Sequence, residues 1–228
     1  MGDDTDLQLE AVRAALIAQI AAWRRARRSF ELFARRYGTK IERKVRGAQT
    51  VAALQELAWE LELARRVLAD PHLTLAYEAG GGRGGRAPDF EIAKGAIVAT
   101  IEATRVRGAD AGRLAATIGE KLTQQRGAAH LLAIQIAAPQ PAVSPPAELT
   151  AATRDLLARA EAGDSTLFSR TGVADRRAFF AAWRCLSVIA VYGPSERLTI
   201  WHNPQAKLPF PPSLLRQLAP DQSETQNG

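Results

Sequence analysis

The chain has 228 residues, 30 Lys+Arg against 24 Asp+Glu and a formal charge of +6, a length that suits one large domain or one domain with a helical appendage. Its 46% hydrophobic content excludes a wholly disordered chain. The longest apolar runs, residues 97–101 and 186–192, fall far short of the roughly 20 residues a membrane helix needs.

Cys185 is the only cysteine, which rules out an internal disulfide and a cysteine-based zinc site. The opening Met1-Gly2-Asp3-Asp4-Thr5-Asp6 is acidic where a secretory leader is basic. A cytoplasmic protein with no membrane partner is therefore expected. A pI near 10 points weakly to a polyanionic partner.

Residues 1–47 hold 11 Lys+Arg and 6 Asp+Glu, so +5 of the +6 sits there. Leu9, Val12, Leu16, Ile20 and Trp23 recur at three- and four-residue steps, and Phe30, Phe33 and Tyr37 continue the stripe. This predicts an amphipathic helix, or two with a bend. Its other face carries Arg24, Arg25, Arg27, Arg28, Arg35, Arg36, Lys40, Arg43 and Lys44. That face is either solvated or a phosphate-tracking surface, since Arg pairs bidentately with phosphate. A second helix is expected over 51–68, with Leu54, Leu57 and Leu61 inward and Asp70-Pro71 as its stop.

From Leu73 the period changes. Strands are predicted at 73–77, 90–93, 96–103, 131–137, 186–192 and 198–202. Helices are predicted where Leu114, Ile118 and Leu122 share a face, over 147–162 and over 175–183. Residues 139–146 are a Pro-rich connection, and the polar tail 219–228 is expected to be disordered. Strands alternating with helices predict an α/β fold: a mixed central sheet flanked by helices, preceded by N-terminal helices. The expected division is a basic helical segment over 1–48, an α/β core over 49–218 and the tail.

Several motifs fail on inspection. Residues 80–85 match a Gly-rich dinucleotide fingerprint, but Arg86-Ala87-Pro88-Asp89 leads into a strand rather than a helix. The run reads as a hairpin connection, with Arg83 and Arg86 the alternative contacts to a nucleic-acid backbone. His72, His130 and His202 form no metal pair, and Cys185 enters an apolar strand as an inert buried thiol. No Gly-x-Ser-x-Gly elbow supports a serine triad.

What survives is Pro88-Asp89-Phe90-Glu91-Ile92, a turn, and Ile97-Val98-Ala99-Thr100-Ile101-Glu102-Ala103-Thr104-Arg105. If these strands pair as a hairpin, Asp89 and Glu102 converge at one sheet end. Two carboxylates are what a hard divalent cation takes, and such a cation activates water toward a phosphodiester.

Pro88-Asp89 followed by Ile101-Glu102-Ala103-Thr104 resembles the motif core of the PD-(D/E)XK restriction-endonuclease-like superfamily. The helix bearing Lys121-Leu122-Thr123-Gln124 and the strand after it resemble that family's post-motif elements, and Trp201-His202-Asn203-Pro204 resembles the closing strand and turn of some relatives. The similarity spans about residues 60–212. It implies a restriction-endonuclease-like fold and a Mg2+- or Mn2+-dependent nuclease acting on DNA. Asp89 and Glu102 would be metal ligands, and Lys121, Gln124 and Thr104 would position water or phosphate. Glu62 would be the additional helix acid found in some members, against the plainer reading of a solvated Glu. Thr104 stands where the family has a lysine, so Lys121 or Lys94 would have to bring the cation. The alternative is an inactive nuclease-fold protein binding nucleic acid or a protein partner, and restriction-type nucleases are often homodimers. The basic segment 1–48 is expected to be detachable.

Overall fold

Three helices open the chain: α1 (Gly2–Ala26), α2 (Arg28–Gly47) and α3 (Val51–Val67). The break between the first two is a single extended residue, Arg27, at φ −144° and ψ 121°. Arg13 on α1 closes the end of α2 by donating to the carbonyls of Val45 and Ala48, groups that a helix end otherwise leaves unpaired. Thr50 starts α3, its hydroxyl accepting from the Ala53 amide at 3.1 Å. The computed structural model describes residues 2–78, 87–108, 110–124, 128–137, 145–193 and 198–218.

The strands are β1 (Thr74–Tyr77), β2 (Phe90–Lys94), β3 (Ile97–Val106), β4 (Ala129–Ile136), β5 (Leu186–Tyr192) and β6 (Leu198–His202). They form one six-stranded sheet in chain order. β1, β2 and β3 pair antiparallel, β3, β4 and β5 parallel, and β6 returns antiparallel to β5. The fold is thus α/β with a mixed sheet. Among the described residues no helix is long and apolar enough to cross a membrane.

The parallel steps need crossovers. α4 (Ala111–Lys121) makes the first, and α5 (Pro145–Glu161), α6 (Ser165–Thr171) and α7 (Arg176–Trp183) make the second. Asp110, Asp164 and Asp175 cap α4, α6 and α7 through side-chain oxygens. Asp164 and the left-handed Gly172 bracket α6, a seven-residue helix too short for its apolar period to register in sequence. The last short helix, α8 (Pro212–Leu215), is equally silent in sequence.

Two apolar layers flank the sheet. Ala99, Ile101 and Ala103 of β3 face one, and Leu132, Ile134 and Ile136 of β4 face the other. β5 is buried along its whole length, which explains a sequence apolar but for Ser187, whose hydroxyl donates to the Leu208 carbonyl. β3 extends to Val106, past the expected end at 103, because its pairing with β4 continues to Ile136.

The expectation of a detachable segment over 1–48 is corrected by the packing. Leu16, Phe30, Phe33, Ala34, Ile41 and Val45 belong to the same buried cluster as Leu61, Phe90 and Ile101. Ser29 also donates to the Leu68 carbonyl at 2.7 Å. The charge of the segment lies on one face of helices whose other face is core. Connections at 79–86 and 138–144 and the tail 219–228 lie outside the described residues, Arg83 and Arg86 with them.

A chain beginning at residue 49 would expose the apolar surface that α1 and α2 cover. We expect it to lose the cooperative thermal transition seen by circular dichroism for the full chain. A sharp transition retained by the truncated protein would contradict this packing.

Candidate functional site

α3 presents Glu56 and Glu60 one turn apart, with Leu57, Leu61 and Ala64 burying the helix beside them. Glu60 is only 9% exposed, and a carboxylate so placed needs partners. It has two: the Tyr77 hydroxyl donates to Oε2 at 2.5 Å and the Lys44 ammonium at 2.8 Å. Tyr77 ends β1, and its hydroxyl is held protonated, its pKa pushed far up by burial and then by the Glu60 charge.

The residue after Tyr77 is unusual. Glu78 has φ 47°, the only non-glycine in the left-handed region among the described residues. That conformation costs an L-residue roughly 1–2 kcal/mol, and such strain concentrates at sites it serves. Its amide donates to the Asp89 carbonyl at 2.7 Å, while its carboxylate receives Lys44 at 2.6 Å and Lys40 at 2.9 Å. Burial pulls the Glu78 carboxyl up, but those two lysines outweigh it and hold the pKa below the usual range.

Asp89 lies just before β2. Its Oδ2 accepts from the Ala103 amide at 2.8 Å, one residue beyond Glu102 on β3. The pairing of Phe90 with Ile101 sets Asp89 against Glu102. Burial, then Glu102, then Glu60, push the Asp89 carboxyl up to about 8, and neither the Ala103 amide nor Lys121 offsets them. Glu102 is 3% exposed on an apolar strand. Lys121 lies on the α4 face that also buries Leu114 and Ile118, so its stem covers core while its ammonium reaches Glu102 Oε1 at 2.7 Å.

These groups line one cavity of about 600 Å³. Glu56, Glu60, Glu78, Asp89 and Glu102 share its lining with Lys40, Arg43, Lys44 and Lys121. Oxygens of Glu60, Glu78 and Asp89 lie within 4.8 Å of one another. Hard oxygen donors with surplus negative potential at Asp89 suit Mg2+ or Mn2+. No protein-family model matches the chain, and no curated protein or solved structure matches it significantly.

The structure brings Asp89, Glu102 and Lys121 together and leaves other candidates elsewhere. Thr104 is buried and does not line the cavity. Lys94 pairs with Asp70 at 3.0 Å. Glu62 binds Arg65 and Arg66; the buried acid that α3 delivers is Glu60. The Gln124 side chain lies outside the described residues. Arg24, Arg25, Arg27, Arg28, Arg35 and Arg36 are exposed, and Arg24 and Arg35 share Glu31. Cys185 is half-buried rather than buried.

His130 is wholly buried and away from the cavity lining. Its Nδ1 meets the Thr100 hydroxyl at 2.7 Å, and burial pushes its pKa down to about 3, so it is a neutral packing residue. Asn203 binds the carbonyls of Trp183 and Leu186, each at 2.8 Å; the Trp201-His202-Asn203-Pro204 turn is a structural clamp.

The raised Asp89 pKa has a thermodynamic consequence. Between about pH 4 and pH 8 the folded state keeps a proton that the unfolded chain has released. The contribution of this carboxyl to stability is therefore full below about pH 4 and falls as pH rises toward about 8. We expect Asp89→Asn to gain melting temperature over wild type on going from pH 5 to pH 8. Differential scanning fluorimetry showing a pH-independent gap between the two proteins would refute the assignment.

Proposed function

We propose that the chain is a divalent-cation-dependent nuclease of restriction-endonuclease-like fold that hydrolyses DNA phosphodiester bonds. The observation that carries this reading is the meeting of Asp89, Glu102 and Lys121 in one cavity. They come from the residue before β2, from β3 and from the following helix, the order in which the motif resemblance has them. Asp89 and Glu102 would hold Mg2+ or Mn2+, which when bound polarises the phosphodiester and activates water.

The chain's own residues supply the rest. The Ala103 amide orients the Asp89 carboxylate. Lys121 holds Glu102 in place and brings positive charge to the site from a helix, where Thr104 brings none to the strand. Charge placed in advance near developing negative charge is the larger part of such catalysis. Arg36, Lys40 and Arg43 follow one another at helical steps on α2, and the latter two line the cavity. That stripe supports a DNA backbone lying along α2 toward the acids, gripped by phosphate contacts with little base reading.

A second reading, an inactive nuclease-fold protein that binds nucleic acid, draws on Thr104 at the lysine position. Cleavage separates the two. With plasmid or single-stranded DNA and Mg2+ or Mn2+, wild type should cut and Glu102→Ala should not. Lys121→Met should slow cleavage by about 10²–10³-fold. Cutting that survives Glu102→Ala overturns the site; a pure, folded wild type that binds DNA without cutting it favours the second reading.

Binding itself has a separate signature. Affinity for duplex DNA should fall steeply with salt, and replacing Arg25, Arg28 and Arg36 by Ala should lower the log–log slope by about 0.9 for each phosphate no longer neutralised. A slope unchanged in fluorescence anisotropy would remove these arginines from the interface.

A further inference from the structure

Glu60, Glu78 and Asp89 look like a place for a metal ion, yet a cation already sits among them. The Lys44 ammonium is 2.8 Å from Glu60, 2.6 Å from Glu78 and 2.7 Å from the Tyr77 hydroxyl. An ammonium has three protons, and these three oxygens account for all of them. The ammonium also lies 4.8 Å from the centre of the Tyr77 ring, within cation–π range. Its backbone is anchored by Ile41 and Val45, three residues before it and one after, both buried in the core. Lys40 supports the same carboxylate, at 2.9 Å from Glu78.

We infer that Lys44 is a resident cation of this site, taking the place of a second divalent ion on the Glu60–Glu78 side and leaving one exchangeable cation position, at Asp89 and Glu102. The inference rests on the metal-dependent reading above and adds its stoichiometry. Two-metal phosphodiesterases set their ions roughly 3.5–4 Å apart, one for the attacking and one for the leaving oxygen. Here the charge on one side is covalently part of α2. Because its three donors are satisfied by protein, Lys44 acts as a positioning residue: it holds Glu60 and Glu78 and does not touch substrate. It also explains how five carboxylates crowd one cavity. Glu60 and Glu78 are neutralised from α2 and Glu102 from α4, Glu56 is exposed to solvent, and Asp89 remains as the half-buried acid without an ion-pair partner among the described residues.

The test counts ions rather than turnover. Isothermal titration of the full chain with Mn2+ at pH 8 should give one ion per wild-type chain. Asp89→Asn and Glu102→Gln should each weaken that binding at least tenfold, whereas Glu78→Gln should change it less than threefold. Lys44→Met should raise the count to two, and Lys44→Arg, which keeps the charge, should restore one. Two ions in wild type, or loss of the single ion in Glu78→Gln but not in Glu102→Gln, overturns the inference and leaves metal dependence standing. Absence of Mn2+ binding in wild type overturns the metal-dependent reading and this inference together. Should Lys44→Met fail to fold, the wild-type count and the Glu78→Gln and Glu102→Gln comparison still decide.

Discussion

The structure is organised around carboxylates that the fold withdraws from water at one end of the sheet. Glu60 and Glu102 are almost fully buried, and removing an ion from water costs several kcal/mol after relaxation unless a partner compensates. Each is met by a lysine from a different helix, Lys44 of α2 for Glu60 and Lys121 of α4 for Glu102. α2 is therefore tied to α3, and α4 to the sheet, twice over, by apolar contact and by charge. A helix that slid by one turn would leave a buried acid without its counter-ion, so the network sets register as well as neutrality.

That constraint reaches the backbone. Where β2 begins, a side chain takes over the pairing: Asp89 accepts the Ala103 amide. Across β1, Glu78 takes a left-handed conformation that glutamate disfavours. Both departures lie beside the cavity, and both aim a carboxylate into it. Away from the cavity, the buried polar residues His130 and Asn203 are hydrogen-bonded to neighbouring strands and turns and carry no comparable charge.

Much of this is readable from residue order. Apolar runs without alternation at 131–134 and 188–192 mark β4 and β5, because a strand buried on both faces needs none. Glu102 on an apolar strand and Asp89 before its neighbour stand out for the same reason: an acid in apolar company is informative. Lys121 is accessible from helical phase, falling on the face of Leu114 and Ile118. Glu60 is accessible by the same logic, since it lies three residues after Leu57 and four before Ala64, yet the motif resemblance points instead to Glu62, on the ion-paired face. α6 and α8 leave too few residues for any period to show.

Local periodicity carries the alternation of strands and helices, the apolar faces and the two acids, one just before β2 and one within β3. Which charges meet depends on how the helices pack. The nine basic residues from Arg24 to Lys44 are equivalent in sequence, but docking α2 on the core buries Phe30, Phe33 and Ile41 and thereby turns Lys40 and Lys44 inward to Glu60 and Glu78. The arginines of the α1–α2 corner stay in solvent. Charge pairing depends on distance through space, and neighbours 16 and 34 residues apart in the chain (Lys44 with Glu60 and Glu78) are brought within reach by packing alone.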